Sequence, residues 1–108
     1  MNSYAREITA AAEALNRVEI AGYENMRLLF GISEFLKDVA KEVGENQNGR
    51  EKMRFYAQEL SAAGDKLCKI SVKGLENVQN LLAIVTLVRQ ISEEIGKEDE
   101  DGNNSAKP

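Results

Sequence analysis

Apolar side chains recur at every third and fourth position over nearly the whole chain. The first series runs Tyr4, Ile8, Ala11, Leu15, Val18, then Gly22 and Asn25, then Leu29, Ile32, Leu36, Val39 and Val43. The second runs Tyr56, Leu60, Ala63, Leu67, Ile70, then Gly74 and Asn77, then Leu81, Ile84, Val88, Ile91 and Ile95. Each is an a/d heptad series, the signature of helices that bury one face. The two interruptions are Gly and Asn, at the same two sites in both series.

The match extends beyond the seam. Residues 1–44 and 53–96 align without a gap, and 14 of the 44 positions are identical; composition alone gives about one in ten. The segment Gly-x-Glu-Asn stands in register in both, at Gly22 and Gly74. A shared helical pattern does not produce that, so the chain reads as an internal duplication. Between the copies lies ENQNGREK, residues 45–52, polar and carrying the turn dipeptide Asn48-Gly49. Residues 97–108 contain one apolar residue, Ala106, and their composition predicts a disordered acidic tail. A single helical domain over 1–96 follows.

Two all-α architectures satisfy this pattern. In one, each copy is a single helix about 60 Å long, and the two fold back at 45–52 as a long antiparallel hairpin. Gly22 and Gly74 then face each other where the helices cross, and Asn25 and Asn77 set the register. In the other, each copy is itself a hairpin turning at its glycine, and the monomer is a four-helix bundle. The heptad phase passes Gly22 and Gly74 without slipping, and neither Asn is followed by a capping Glu or Gln. Both points predict the long hairpin. Its apolar stripe is wider than a two-stranded seam needs, so it is expected to dimerise into a four-helix bundle. Tyr23, Met26, Phe30 and Phe35, with Leu75, Val78, Leu82 and Val85, form the expected interaction surface.

Composition narrows the function. There is no His and a single Cys, Cys68, which removes zinc clusters, Ser-His triads, diiron carboxylate sites and intramolecular disulfides. No phosphate-binding Gly-rich loop occurs. The net charge of −4 leaves no basic face for nucleic acid. The longest apolar run, Leu81–Val85, is too short to cross a bilayer, and the N-terminal segment does not read as a signal peptide. A cytoplasmic, non-enzymatic protein without metal or cofactor is expected.

The carboxylates Glu24 and Glu76 recur beside the seam, where a solvated helix face explains them. Cys68 has polar neighbours and reads as an inert thiol. The pairs Glu13/Arg17, Asp65/Lys69 and Arg89/Glu93 read as i,i+4 surface support. The sequence therefore predicts a structural or protein-interaction module acting as a homodimer with a protein partner. Two alternatives stand beside it. One is a protein that binds or sequesters a nucleotide or metabolite at a waist formed by Gly22, Asn25, Gly74 and Asn77. The other is a small acidic inhibitor of the phage type, acting through its tail.

Overall fold

The computed structural model describes residues 2–45 and 50–105, with side-chain placement for 4–45 and 52–97. It is all-helical. α1 spans Asn2–Ala14 and ends in a 3₁₀ turn, Leu15–Arg17; α2 spans Tyr23–Glu45, α3 Arg50–Leu67 and α4 Leu75–Ser105. The chain thus reverses three times, and the fold is a four-helix bundle made of two hairpins, α1–α2 and α3–α4. The long-hairpin expectation is overturned in favour of its alternative.

Each helix packs most closely on its hairpin partner. α2 also meets α3, and α1 meets α4, so the four stand at the corners of a square. α1 and α3 run one way, α2 and α4 the other. The heptad series supply one common core: Ile8, Leu15, Leu36, Val43, Leu60, Leu67, Val88 and Ile95 are all fully buried. Four helices close it within one chain, so no second copy is needed to complete the bundle.

The reversals have a local cause. Val18 leaves the 3₁₀ turn with φ −80° and ψ 122°. Its N–H still donates to the Leu15 carbonyl at 3.2 Å, and Ile70 N–H does the same to Leu67 at 3.1 Å. Val18 and Ile70 are buried, Glu19 and Ser71 are exposed, and Ile20 and Val72 are half-buried. This alternation, in β-branched residues, is that of an extended segment. The chain then passes through Gly22 at φ 95° and Gly74 at φ 91°, a region open to glycine and strained for other residues. The two glycine carbonyls accept the first helical bonds of α2 and α4, from Met26 and Val78 N–H, each at 3.0 Å. Both glycines are therefore helix N-caps.

They do not serve as close-packing points: a Cβ at either would meet nothing within 4 Å. Close approach falls instead on Gly64, where a Cβ would lie 3.3 Å from Arg89 Cγ, and on Gly44 and Gly96 at the opposite end. A Cβ there would lie 3.6 Å from Ala5 Cβ and 3.9 Å from Ala57 Cβ respectively. The repeat character of the chain is thus expressed in the structure, with corresponding residues doing corresponding work in both hairpins.

The backbone of α4 continues helically through Ser105, over most of the stretch whose composition suggests disorder. Residues 106–108 of that stretch, and the Asn48-Gly49 turn, lie outside the described residues. None of the three i,i+4 pairs read from the sequence forms. Arg89 instead reaches from α4 to Asp65 on α3 at 3.1 Å, with Cys68 Sγ 3.7 Å away. Ion pairs within a helix include Arg27–Glu24 and Lys37–Glu34, both at i,i+3 spacing.

Candidate functional site

All four helices contribute to one end of the bundle, where the two Gly-x-Glu-Asn segments meet. The asparagines sit in the first turns of α2 and α4, with their side chains turned back over the preceding loops. Asn25 Nδ2 donates to the Ala21 carbonyl at 2.9 Å, and Asn77 Nδ2 to the Lys73 carbonyl at 2.9 Å. Each side-chain oxygen reaches the other hairpin. Ser71 N–H donates to Asn25 Oδ1 at 3.2 Å, and Glu19 N–H donates to Asn77 Oδ1 at 3.1 Å. Asn25 Nδ2 also approaches the Ser71 carbonyl at 3.3 Å. Ser71 and Glu19 are corresponding residues of the two copies, so the exchange is reciprocal. Each asparagine ties its own loop to the start of its helix and staples the other loop across an approximate twofold axis. That axis runs along the bundle, because it relates helices that are parallel.

The waist residues expected from the sequence are therefore brought together, at an end of the bundle rather than at its middle. Between the loops lies an open concavity of about 310 Å³, lined by Glu19, Ile20, Asn25 and Ala21 on one side and Ser71, Val72, Lys73 and Asn77 on the other. This gathering favours the small-ligand alternative over a dimer required for folding. The asparagine amides are already committed to the backbone. The charged residues lining the hollow are Glu19 and Lys73, one of each sign.

The expected interaction surface divides in two. Tyr23, Met26 and Phe30 form an exposed stripe on α2, and Leu75, Val78 and Leu82 form the corresponding stripe on α4. Tyr23 is 72% exposed, Phe30 69%, Leu75 74% and Leu82 61%. Their spacing puts each set on one helix face over two turns. Met26 and Phe30 also border a shallow groove against the end of α1, about 230 Å³ in volume. Val85, by contrast, is buried in the core and Phe35 is half-buried. Val85 turns inward because α4 packs on α3, a contact absent from the long-hairpin geometry, in which the two form one continuous helix. Phe55, on α3, is exposed as well and did not stand out in the pattern because its counterpart is Ser3.

Comparison with family models, curated proteins and solved structures returns no significant match. The site is thus read from its own chemistry. Among the described residues no group of three His, Cys, Asp or Glu side chains could hold a metal ion. Glu24 and Glu76 are exposed, and Glu24 pairs with Arg27 at 3.3 Å. Cys68 is exposed. Among the described residues no helix is long and apolar enough to cross a membrane.

One carboxyl group is perturbed. Glu59, half-buried on α3, is raised above the ordinary carboxylate value, first by burial and then by the charge of Glu42 on α2. A raised carboxyl disfavours the ionised form in the folded state. Its penalty is present at neutral pH and vanishes as pH falls below the ordinary carboxylate range. Glu59→Gln should therefore raise the melting temperature at neutral pH. The gain over wild type should shrink to nothing in acid, as thermal melts across that range will show.

Proposed function

We propose that this chain is a non-enzymatic interaction module, a self-contained helical bundle that docks apolar helix faces on its two stripes. The observation that carries the reading is exposure. A four-helix monomer already has a closed core, yet Tyr23, Met26, Phe30, Leu75, Val78 and Leu82 remain outside it. Large apolar side chains grouped on a surface mark association sites. A duplicated hairpin supplies two such faces, and the approximate twofold axis sets them on opposite sides of the bundle. The simplest occupant is a second copy, whose stripe matches the first in a symmetric pair. Such a dimer joins finished bundles; it does not build one.

Sedimentation measurements test this directly. Wild type should gain mass with concentration, and Phe30→Asp combined with Leu82→Asp should stay monomeric with an unchanged helical spectrum. Both sites are exposed, so the fold should tolerate the charges. A wild type that stays monomeric throughout the concentration series would contradict self-association.

A second reading rests on the concavity between the loops. A metabolite with both charges, or a polar head beside an apolar body, would find Glu19, Lys73 and the Ile20/Val72 walls converging there. A thermal-shift screen with nucleotides and amino acids should show stabilisation that Lys73→Gln removes. A flat response across the screen would sink this reading.

A further inference from the structure

The two hairpins correspond closely in their core and loops, and one place where they part is informative. Between α2 and α3 lies a groove of about 550 Å³. Its floor is Ile32 and Ala63, both buried, with Leu28 and Phe35 half-buried beside them. Its rim carries Arg27, Lys66 and Lys69, with no carboxylate in the lining. In a chain of net charge −4, three cations around one apolar hollow are a local reversal. Arg27 is shared with Glu24, whereas Lys66 and Lys69 have no ion-pair partner among the described residues.

The symmetric position, between α4 and α1, serves as an internal control. The deep floor is kept there, as Ile84 and Ala11. The rim is not: Gln79 and Ala14 replace Arg27 and Lys66, leaving Arg17 as the sole cation among the three equivalent positions. The side wall changes too, from Leu28 to Asn80 and from Phe35 to Leu87. What the fold needs is shared by both copies, and the cluster of three cations belongs to one.

Gly31 adds an independent observation. It lies in the interior of α2, where glycine is the least favourable residue short of proline. Neither usual reason for a glycine applies, because its φ is not positive and a Cβ would meet nothing within 4 Å. Its counterpart is Ala83. Gly31 does line the groove, and the lack of a side chain keeps that wall open.

We infer that the α2–α3 groove binds a compact amphipathic anion, a small organic acid whose apolar body lies on Ile32 and Phe35 while its charge meets Lys66 and Lys69. The stretch Arg27–Phe35 rises about 12 Å along the helix, which suits a body of roughly eight to ten carbons. The volume is that of a small-molecule site. The acidic C-terminal stretch of another copy does not suit it, since residues 97–108 have no large aliphatic or aromatic side chain to cover the floor. This site is separate from the exposed stripes and does not depend on them.

Titration of isotope-labelled protein with octanoate, followed by amide NMR, tests the assignment. Octanoate should give saturable shifts at Gly31 and along 63–69, and octanol, which has the same body without charge, should bind at least about fivefold more weakly. Replacing both lysines, Lys66→Gln with Lys69→Gln, should weaken octanoate about five- to tenfold. Gly31→Leu should fill the groove and abolish the shifts while leaving the helical spectrum and melting temperature intact or improved. Gly31→Ala should do so in part. Equal binding of octanoate and octanol, equal shifts around Ala83 and Arg17, shifts confined to the Phe30 or Leu82 stripes, or no saturable shift would each overturn the proposal.

Discussion

Alanine at both Gly22 and Gly74 should destabilise the protein by about 2–4 kcal/mol, because each new Cβ is forced into a left-handed backbone that costs an L-residue about 1–2 kcal/mol. Space is not the issue, since both sites are open. The cost comes from φ 95° and φ 91° alone. For a domain of this size the melting temperature should fall by about 10–20 °C. The sign of the effect separates the two architectures. In a continuous helix each Gly→Ala change would gain about 1 kcal/mol. Gly31→Ala, in an interior helical turn, is the matched control and should stabilise. Thermal and urea unfolding of the three variants reads both signs in one experiment.

The second large effect concerns the staple between the loops. Asn25→Ala with Asn77→Ala removes the hydrogen bonds that tie each loop to its helix and to the other hairpin. At about 0.5–1.5 kcal/mol net for each of the four bonds lost, the pair should cost about 2–6 kcal/mol. The loops are exposed, so the freed groups regain water and the loss stays near the lower figure. A more specific readout is amide exchange: Glu19 and Ser71 N–H should lose protection in the double variant while the core amides keep theirs. Asn25→Asp and Asn77→Asp keep the acceptor and lose the donor, and so should fall between wild type and alanine. A double variant with unchanged stability and unchanged exchange at these two amides would show that the staple does not hold the loops.

The core was legible from the sequence because heptad spacing is a property of buried helix faces, whichever architecture buries them. Ile8, Leu36, Leu60 and Val88 fall on the seam and in the core alike. The reversals were misread for two reasons. An unbroken phase across Gly22 and again across Gly74 looks like two observations, yet two hairpins of matching sequence and structure are not independent, and a loop of suitable length preserves the phase in both. The second reason lies in the residues just before each glycine. Val18-Glu19-Ile20 and Ile70-Ser71-Val72 alternate with a period of two in β-branched residues, a signal for extended chain that the every-third-and-fourth count absorbed by taking Val18 and Ile70 alone. The missing capping box misled as well, because the cap is the glycine carbonyl and the asparagine works across the hairpins.

The candidate sites were partly legible. Gly22, Asn25, Gly74 and Asn77 were found as a set because they repeat, though their roles followed only from the backbone. The stripes Tyr23/Met26/Phe30 and Leu75/Val78/Leu82 came from apolar residues left over beside the seam. Val85 belonged to the same surplus and proved to be core, because sequence spacing does not show which flank of a helix meets a third helix. The α2–α3 groove was not legible at that level: heptad spacing gives the seam that Ile32 and Ala63 share, and not the hollow beside it that Phe35 and Lys66 border.

The central claim is that the chain turns back at each Gly-x-Glu-Asn segment, and a distance between spin labels at Arg6 on α1 and Glu42 on α2 tests it most directly. Both positions are exposed, and Cys68, the single native thiol, can be replaced by Ser beforehand. In the hairpin the two labels flank the place where Ala5 packs against Gly44, close enough that a Cβ on Gly44 would touch Ala5 Cβ, and should lie within about 20 Å of each other. One unbroken helix would hold them about 54 Å apart at 1.5 Å per residue, and a distance distribution centred there would contradict the account.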